Sequence, residues 1–152
     1  MARKRMLSPE FFTSGPVAGL PVTAMITFAG LWCYCDDYGR GEDNAALVKA
    51  AVWPRRKTHT EKRVAADIDA IERARLICRY EAAGVKLLHI PSWNEHQKIS
   101  HRTDSKLPPC PGHEAALYSF FLSESGDGRD KFRNGSGTAP DWFARSSGRT
   151  PE

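Results

Sequence analysis

The densest chemistry in this sequence lies between residues 55 and 63, which read Arg55-Arg56-Lys57-Thr58-His59-Thr60-Glu61-Lys62-Arg63. Five Lys and Arg side chains face one carboxylate, and Thr60 is suited to cap a helix that begins after it. A helix N-terminus presents unpaired N–H groups and the positive end of its dipole, so cations beside it make a site for anions. Phosphate is the anion such a set suits best. Arg55, Arg56 and Lys57 would hold a polyphosphate backbone, with Thr60 at the helix start. Lys62 and Arg63, on the first turn, would reach base edges, where a guanidinium pairs with guanine through two hydrogen bonds. Taken alone, the same string also reads as a solvated loop followed by a charged helix face.

Further cations lie downstream. Arg79 and Lys86 stand on two strand-like runs, from which they would reach phosphate or a minor groove. Lys98 and Arg102 sit in a polar, basic stretch, Asn94 to Lys106, which serves as an arm on the backbone or as a linker anchored by Trp93 packing on the core. Arg3-Lys4-Arg5 opens the chain as a second basic arm or a solubilising terminus.

Metal chemistry has one partial signature. Cys110-Pro-Gly-His113 has the spacing of half a zinc site, but no second CxxC or HxxxH pair completes it in the sequence. His89, His96 and Asn94 suggest a nuclease-like cluster, yet no paired carboxylates accompany them. Asp36 and Asp37 read as polar residues ending a helix. No phosphate-cradling glycine loop or nucleophile motif occurs, so neither catalysis nor a metal or other cofactor is expected. The four cysteines (Cys33, Cys35, Cys78, Cys110) follow no disulfide framework and are expected to be reduced thiols.

The elements that must position these residues follow from periodicity. A first helix is predicted from about Pro21 to Cys35, with Met25, Phe28, Leu31 and Trp32 at three- and four-residue steps. Val22, Ile26 and Ala29 form a second apolar row beside them, which predicts a central helix. A second helix starts after Asp43 or Asn44, with Ala46, Leu47, Ala50 and Ala51 as its expected buried face, and stops at Pro54. The third begins at Thr60 and carries Val64, Ile68, Ile71 and Leu76 inward. Two strand-like runs, Leu76–Glu81 and Val85–Ile90, joined by Ala82, Ala83 and Gly84, read as a hairpin. Three helices followed by a hairpin is the element order of a winged helix-turn-helix, completed by a short strand around Tyr38–Gly41. In that motif the third helix offers its N-terminal residues to the major groove of DNA.

At this point the chain resembles the N-terminal winged-helix domains of bacteriophage replication initiators, or replisome organisers. The resemblance rests on Met1-Ala2-Arg3-Lys4-Arg5 with Ser8-Pro9-Glu10-Phe11-Phe12, and on Gly30-Leu31-Trp32 closing the first helix. It continues through Asp36-Asp37-Tyr38-Gly39-Arg40-Gly41 and Ile90-Pro91-Ser92-Trp93-Asn94-Glu95-His96-Gln97-Lys98-Ile99, covering about residues 1–108. It implies binding of double-stranded DNA in a phage or prophage setting, in replication initiation or regulation. It also implies a bacterial cytoplasm near the nucleoid, with host or phage replication proteins as further partners. After residue 108 no loader- or helicase-binding domain is recognisable.

Charge and composition agree with that division. Residues 1–106 hold 17 Lys and Arg against 12 Asp and Glu, whereas residues 107–152 hold 5 against 6. The positive excess therefore sits on the part expected to fold, which favours polyanions. From Leu107 onward, Gly, Pro and Ser make up 17 of 46 residues, a composition that buries little apolar surface. The expected organisation is α+β and mainly helical. It comprises an N-terminal arm (1–19), a winged helix-turn-helix (20–106) and a largely disordered tail (107–152) with a short helix at 114–122. No run of about 18 apolar residues exists, so no membrane span is expected. The stretch Met6–Pro16 lacks the apolar core of a secretory signal. The apolar patch Leu117–Leu122 motivates an alternative reading, a protein-interaction adaptor or recombination accessory factor. A metal-dependent nuclease is a third.

Overall fold

A computed structural model describes residues 3–125. The chain is α+β. In order, its elements are α1 (Glu10–Thr13), α2 (Gly15–Ala18), α3 (Val22–Tyr34), β1 (Arg40–Glu42), α4 (Ala45–Val52), α5 (Glu61–Arg73), β2 (Cys78–Ala82), β3 (Val85–His89), α6 (Trp93–His96) and α7 (Ala115–Ser125). The strands form one antiparallel sheet in the order β1-β3-β2.

Local chemistry accounts for most boundaries. The Asn44 side chain accepts hydrogen bonds from the N–H groups of Ala46 and Leu47, and the Thr60 hydroxyl accepts from Arg63 N–H. These satisfy donors that the first turns of α4 and α5 leave orphaned. Between β2 and β3 the chain reverses over Ala83 and Gly84, both at positive φ (52° and 74°). Two such residues match the right-handed twist of the strands they join.

The core lies among α3, α4 and α5. Leu31, Val48, Val64, Ile68, Ile71 and Leu88 are all fully buried there. Gly30 on α3 makes the α3–α4 approach possible, since a Cβ at that position would lie 2.4 Å from Val52. This packing corrects the expected inner face of α4. Ala46, Leu47, Ala50 and Ala51 are exposed, and Val48 points inward with Ala45 and Val52 half-buried. An eight-residue helix that is apolar on most sides has no unique stripe. The branched valines fill the space beside Gly30. Likewise α3 is not enclosed all round, because Val22 and Ile26 face solvent.

The N-terminal segment is part of the fold, which corrects its reading as an arm. Phe11 is buried, its ring 5.9 Å from Phe28 and 5.3 Å from Trp32. Arg3 and Arg5 both pair with the buried carboxylate of Asp37, and Gln97 exchanges two hydrogen bonds with the backbone of Met6. Burial by itself raises the Asp37 carboxyl. The Thr103 N–H and the two guanidinium groups outweigh it and hold the group below its usual value. A carboxyl depressed in the folded state contributes stability that is fully present above its unfolded value and is lost as pH falls through the folded one. Wild-type stability is therefore expected to fall more steeply under acid than that of Asp37→Asn. Urea midpoints from neutrality to below the carboxylate range check this; parallel pH profiles for the two proteins would contradict it.

The sheet is covered on both faces. Direct cross-strand partners share a face, and the register pairs Arg79 with Leu88 and places Arg40, His89 and Cys78 in one row. Arg79 and Leu88 look toward α5. Arg40, Cys78, Tyr80, Leu87 and His89 look the other way, onto the segment after α6. There Pro108, Pro109 and Cys110 are buried, the Tyr80 hydroxyl donates to the Pro108 carbonyl at 2.7 Å, and the fully buried Arg40 pairs with Glu114. The folded part thus continues past the expected boundary at 107, because this segment covers Leu87 and supplies the partners of Arg40 and Tyr80 on the sheet's outer face. The expected short helix forms as α7, with Phe121 buried. The expectation of disorder further on concerns residues 126–152, outside the described residues.

Candidate nucleic-acid interface

The basic loop between α4 and α5 stands on a buried platform. Trp53 and His59, at its two ends, pack with ring centroids 4.1 Å apart and planes tilted by 34°. Trp53 Nε1 donates to Thr27 Oγ1 at 2.9 Å, and Thr27 Oγ1 donates to Asp67 Oδ2 at 2.8 Å. Asp67, in the second turn of α5, also lies 2.7 Å from His59 Nε2 and accepts from the Thr23 hydroxyl. The Lys49 ammonium closes the far side by donating to the carbonyls of Trp53 and Arg56. A buried polar network is rigid when every member is satisfied. This one fixes the loop to the start of α5. It also withdraws His59 from the cationic surface, since His59 is 6% exposed. Sequence spacing alone missed Thr27 and Asp67, which meet the loop only through the packing of α3 on α5.

Above the platform, Arg55, Arg56, Lys57, Thr60, Lys62 and Arg63 are exposed. Among the described residues, none of the five cations in this set makes an ion pair. The structure therefore brings together the loop and the first turn of α5. Lys86 is exposed near the hairpin tip, opposite Glu81 and on the sheet face turned toward α5.

Two expected contacts are corrected. Arg79 is held by Asp43 at 2.8 Å, Asp69 at 2.6 Å and Glu72 at 3.3 Å. The hydrogen bond with Asp43, joined by the other two carboxylates, pushes its pKa further up. Three carboxylates around one guanidinium leave this patch net negative, so Arg79 ties β2 to α5 rather than facing phosphate. Arg102 donates to Asn94 Oδ1 at 2.5 Å and lies 5.4 Å from the Tyr38 ring centroid, which commits it to packing after α6. Lys98 remains exposed in that segment. Trp93 is buried, with its indole N–H donating to the Asp37 carbonyl at 2.9 Å.

His89 and His96, the histidines of the nuclease-like reading, separate. His96 stacks on Trp32, whereas His89 is buried beside His113. Burial pushes His89 down to about 4, so the ring is neutral near pH 7. No protein-family model, curated protein or solved structure matches the chain. No helix of the described residues is long and apolar enough to cross a membrane.

Proposed function

We propose that the protein binds double-stranded DNA through residues 55–63, with α5 as the reading helix and the β2–β3 hairpin as a wing. The observation that carries this reading is the set of five exposed cations without ion-pair partners among the described residues, held on a rigid loop at the N-terminus of α5. The order α3-β1-α4-α5-β2-β3, with β1 paired to β3, supports a winged helix-turn-helix in which the first turn of α5 enters the major groove. Arg55, Arg56 and Lys57 hold phosphate, Lys62 and Arg63 meet base edges, and Lys86 touches the flanking backbone. The resemblance to phage replication initiators points to a role in replication initiation or regulation, in a bacterial host cell.

Roughly four phosphate contacts correspond to a slope of about −3.6 in log affinity against log salt. Fluorescence anisotropy of a labelled duplex, titrated at several salt concentrations, measures that slope. Affinity that ignores salt would remove the proposed surface.

A second reading, a protein-interaction adaptor, draws on the exposed apolar side chains Val22, Ile26, Leu47, Phe120 and Leu122. It is the reading left if duplex DNA binds without salt dependence or not at all.

A further inference from the structure

The sheet face turned away from the helices gathers residues far apart in sequence. Cys78 and His89 stand opposite each other on β2 and β3, and the chain returns across that face to bring Cys110 and His113 onto them. We propose that Cys78, His89, Cys110 and His113 form a structural zinc site.

Three observations carry it. First, one ligand atom from each of Cys78, Cys110 and His113 lies within 4.8 Å of the other two. Second, two edges already have the size a tetrahedral ion requires. Zinc–sulfur bonds of about 2.3 Å and zinc–nitrogen bonds of about 2.05 Å imply a sulfur–sulfur edge of about 3.8 Å and a sulfur–nitrogen edge of about 3.5 Å. The Cys110–Cys78 Sγ separation is 3.8 Å, and Cys110 Sγ lies 3.5 Å from His113 Nδ1. A disulfide would need the sulfurs about 2.05 Å apart. Third, His89 is 5% exposed and its Nδ1 has no hydrogen-bond partner among the described residues. A buried polar atom left unpaired is costly, and the His89 ring centroid lies 5.9 Å from that of His113. A fourth bond to the ion gives that nitrogen its partner.

The donor set of two thiolates and two imidazoles suits zinc among the common ions. Binding one Zn²⁺ releases two thiol protons and leaves the coordinated group neutral, with no change of oxidation state. The exposed His113 and a depression of about 300 Å³ lined by Arg75, Cys78, Pro91 and His113 give the ion a way in. Once bound, it staples the covering segment to β2 and β3, beside the Arg40–Glu114 pair, and stabilises the folded chain because the unfolded one has no assembled site.

The full chain, purified under reducing conditions without chelator, is expected to carry one zinc per molecule by elemental analysis. Co²⁺ added to the metal-free protein is expected to give the strong visible bands of a tetrahedral ion and a sulfur-to-cobalt charge-transfer band. Cys78→Ser and Cys110→Ser each abolish that band's two-thiolate intensity, His89→Gln weakens Co²⁺ binding roughly tenfold or more, and Cys33→Ser changes nothing. If the serine variants do not fold, the charge-transfer intensity of the wild-type protein still counts the thiolates. A wild-type chain that is folded, has Cys78 and Cys110 as free thiols, contains no zinc and gives no tetrahedral Co²⁺ spectrum overturns the proposal.

Discussion

Replacing Arg55, Arg56 and Lys57 together with alanine is expected to weaken binding to any duplex about a hundredfold near physiological salt and to flatten the salt slope from about −3.6 to about −0.9. Each phosphate neutralised by a cation releases counterions from the DNA, and three such contacts leave with the three side chains. The loss is uniform across sequences, because phosphates carry no sequence information. Folding is expected to be untouched. The three side chains are exposed, and surface substitutions away from caps and buried networks stay within about 0.5 kcal/mol. The loop's shape comes from Trp53, His59 and Asp67 beneath it. Arg63→Ala is expected to act differently, by relaxing preference at one base pair. Anisotropy titrations of the triple variant on two unrelated duplexes separate the effects. An unchanged slope in the triple variant would move the DNA surface elsewhere on the molecule.

The second large effect is expected at the pair that locks the covering segment to the sheet. Arg40 is fully buried on β1; its Nε donates to Glu114 Oε2 at 2.9 Å and its Nη1 to the Leu107 carbonyl at 3.2 Å. Burial raises the Glu114 carboxyl, but the hydrogen bond and charge of Arg40 together hold it below its usual value. Removing one member of such a pair leaves the other charged and largely out of water, at a cost of about 3–5 kcal/mol. Arg40→Ala is therefore expected to lower the urea midpoint sharply and to open the chain near Leu107 to protease. Arg40→Met with Glu114→Gln, which removes both charges at similar volume, should cost less than Arg40→Ala alone. Near-equal midpoints for wild type and Arg40→Ala would show that the cover contributes little to stability.

Much of the architecture was legible from short-range chemistry. Thr60 was readable as a cap, and Asn44 as one of two candidates with Asp43, because a cap acts on N–H groups two or three residues away. The hairpin was readable because the turn is built from adjacent residues. The inward stripe of α5 was readable because Val64, Ile68 and Ile71 alternate with charged neighbours, so only one face could be buried. On α4 that contrast is missing, and the residue types alone misplaced its inner face.

What tertiary structure decided are relations between distant residues. Arg79 counted as a free cation in the sequence; its partners Asp43, Asp69 and Glu72 lie on two other parts of the chain. Cys110 and His113 looked like half a metal site, and the residues placed to complete it, Cys78 and His89, come from a hairpin more than twenty residues upstream. Periodicity and spacing report which groups one element can present together. An ion pair or a coordination shell depends instead on which elements meet, and burial of the sheet's second face by the returning chain settled that for both Arg40 and the sulfur–imidazole cluster.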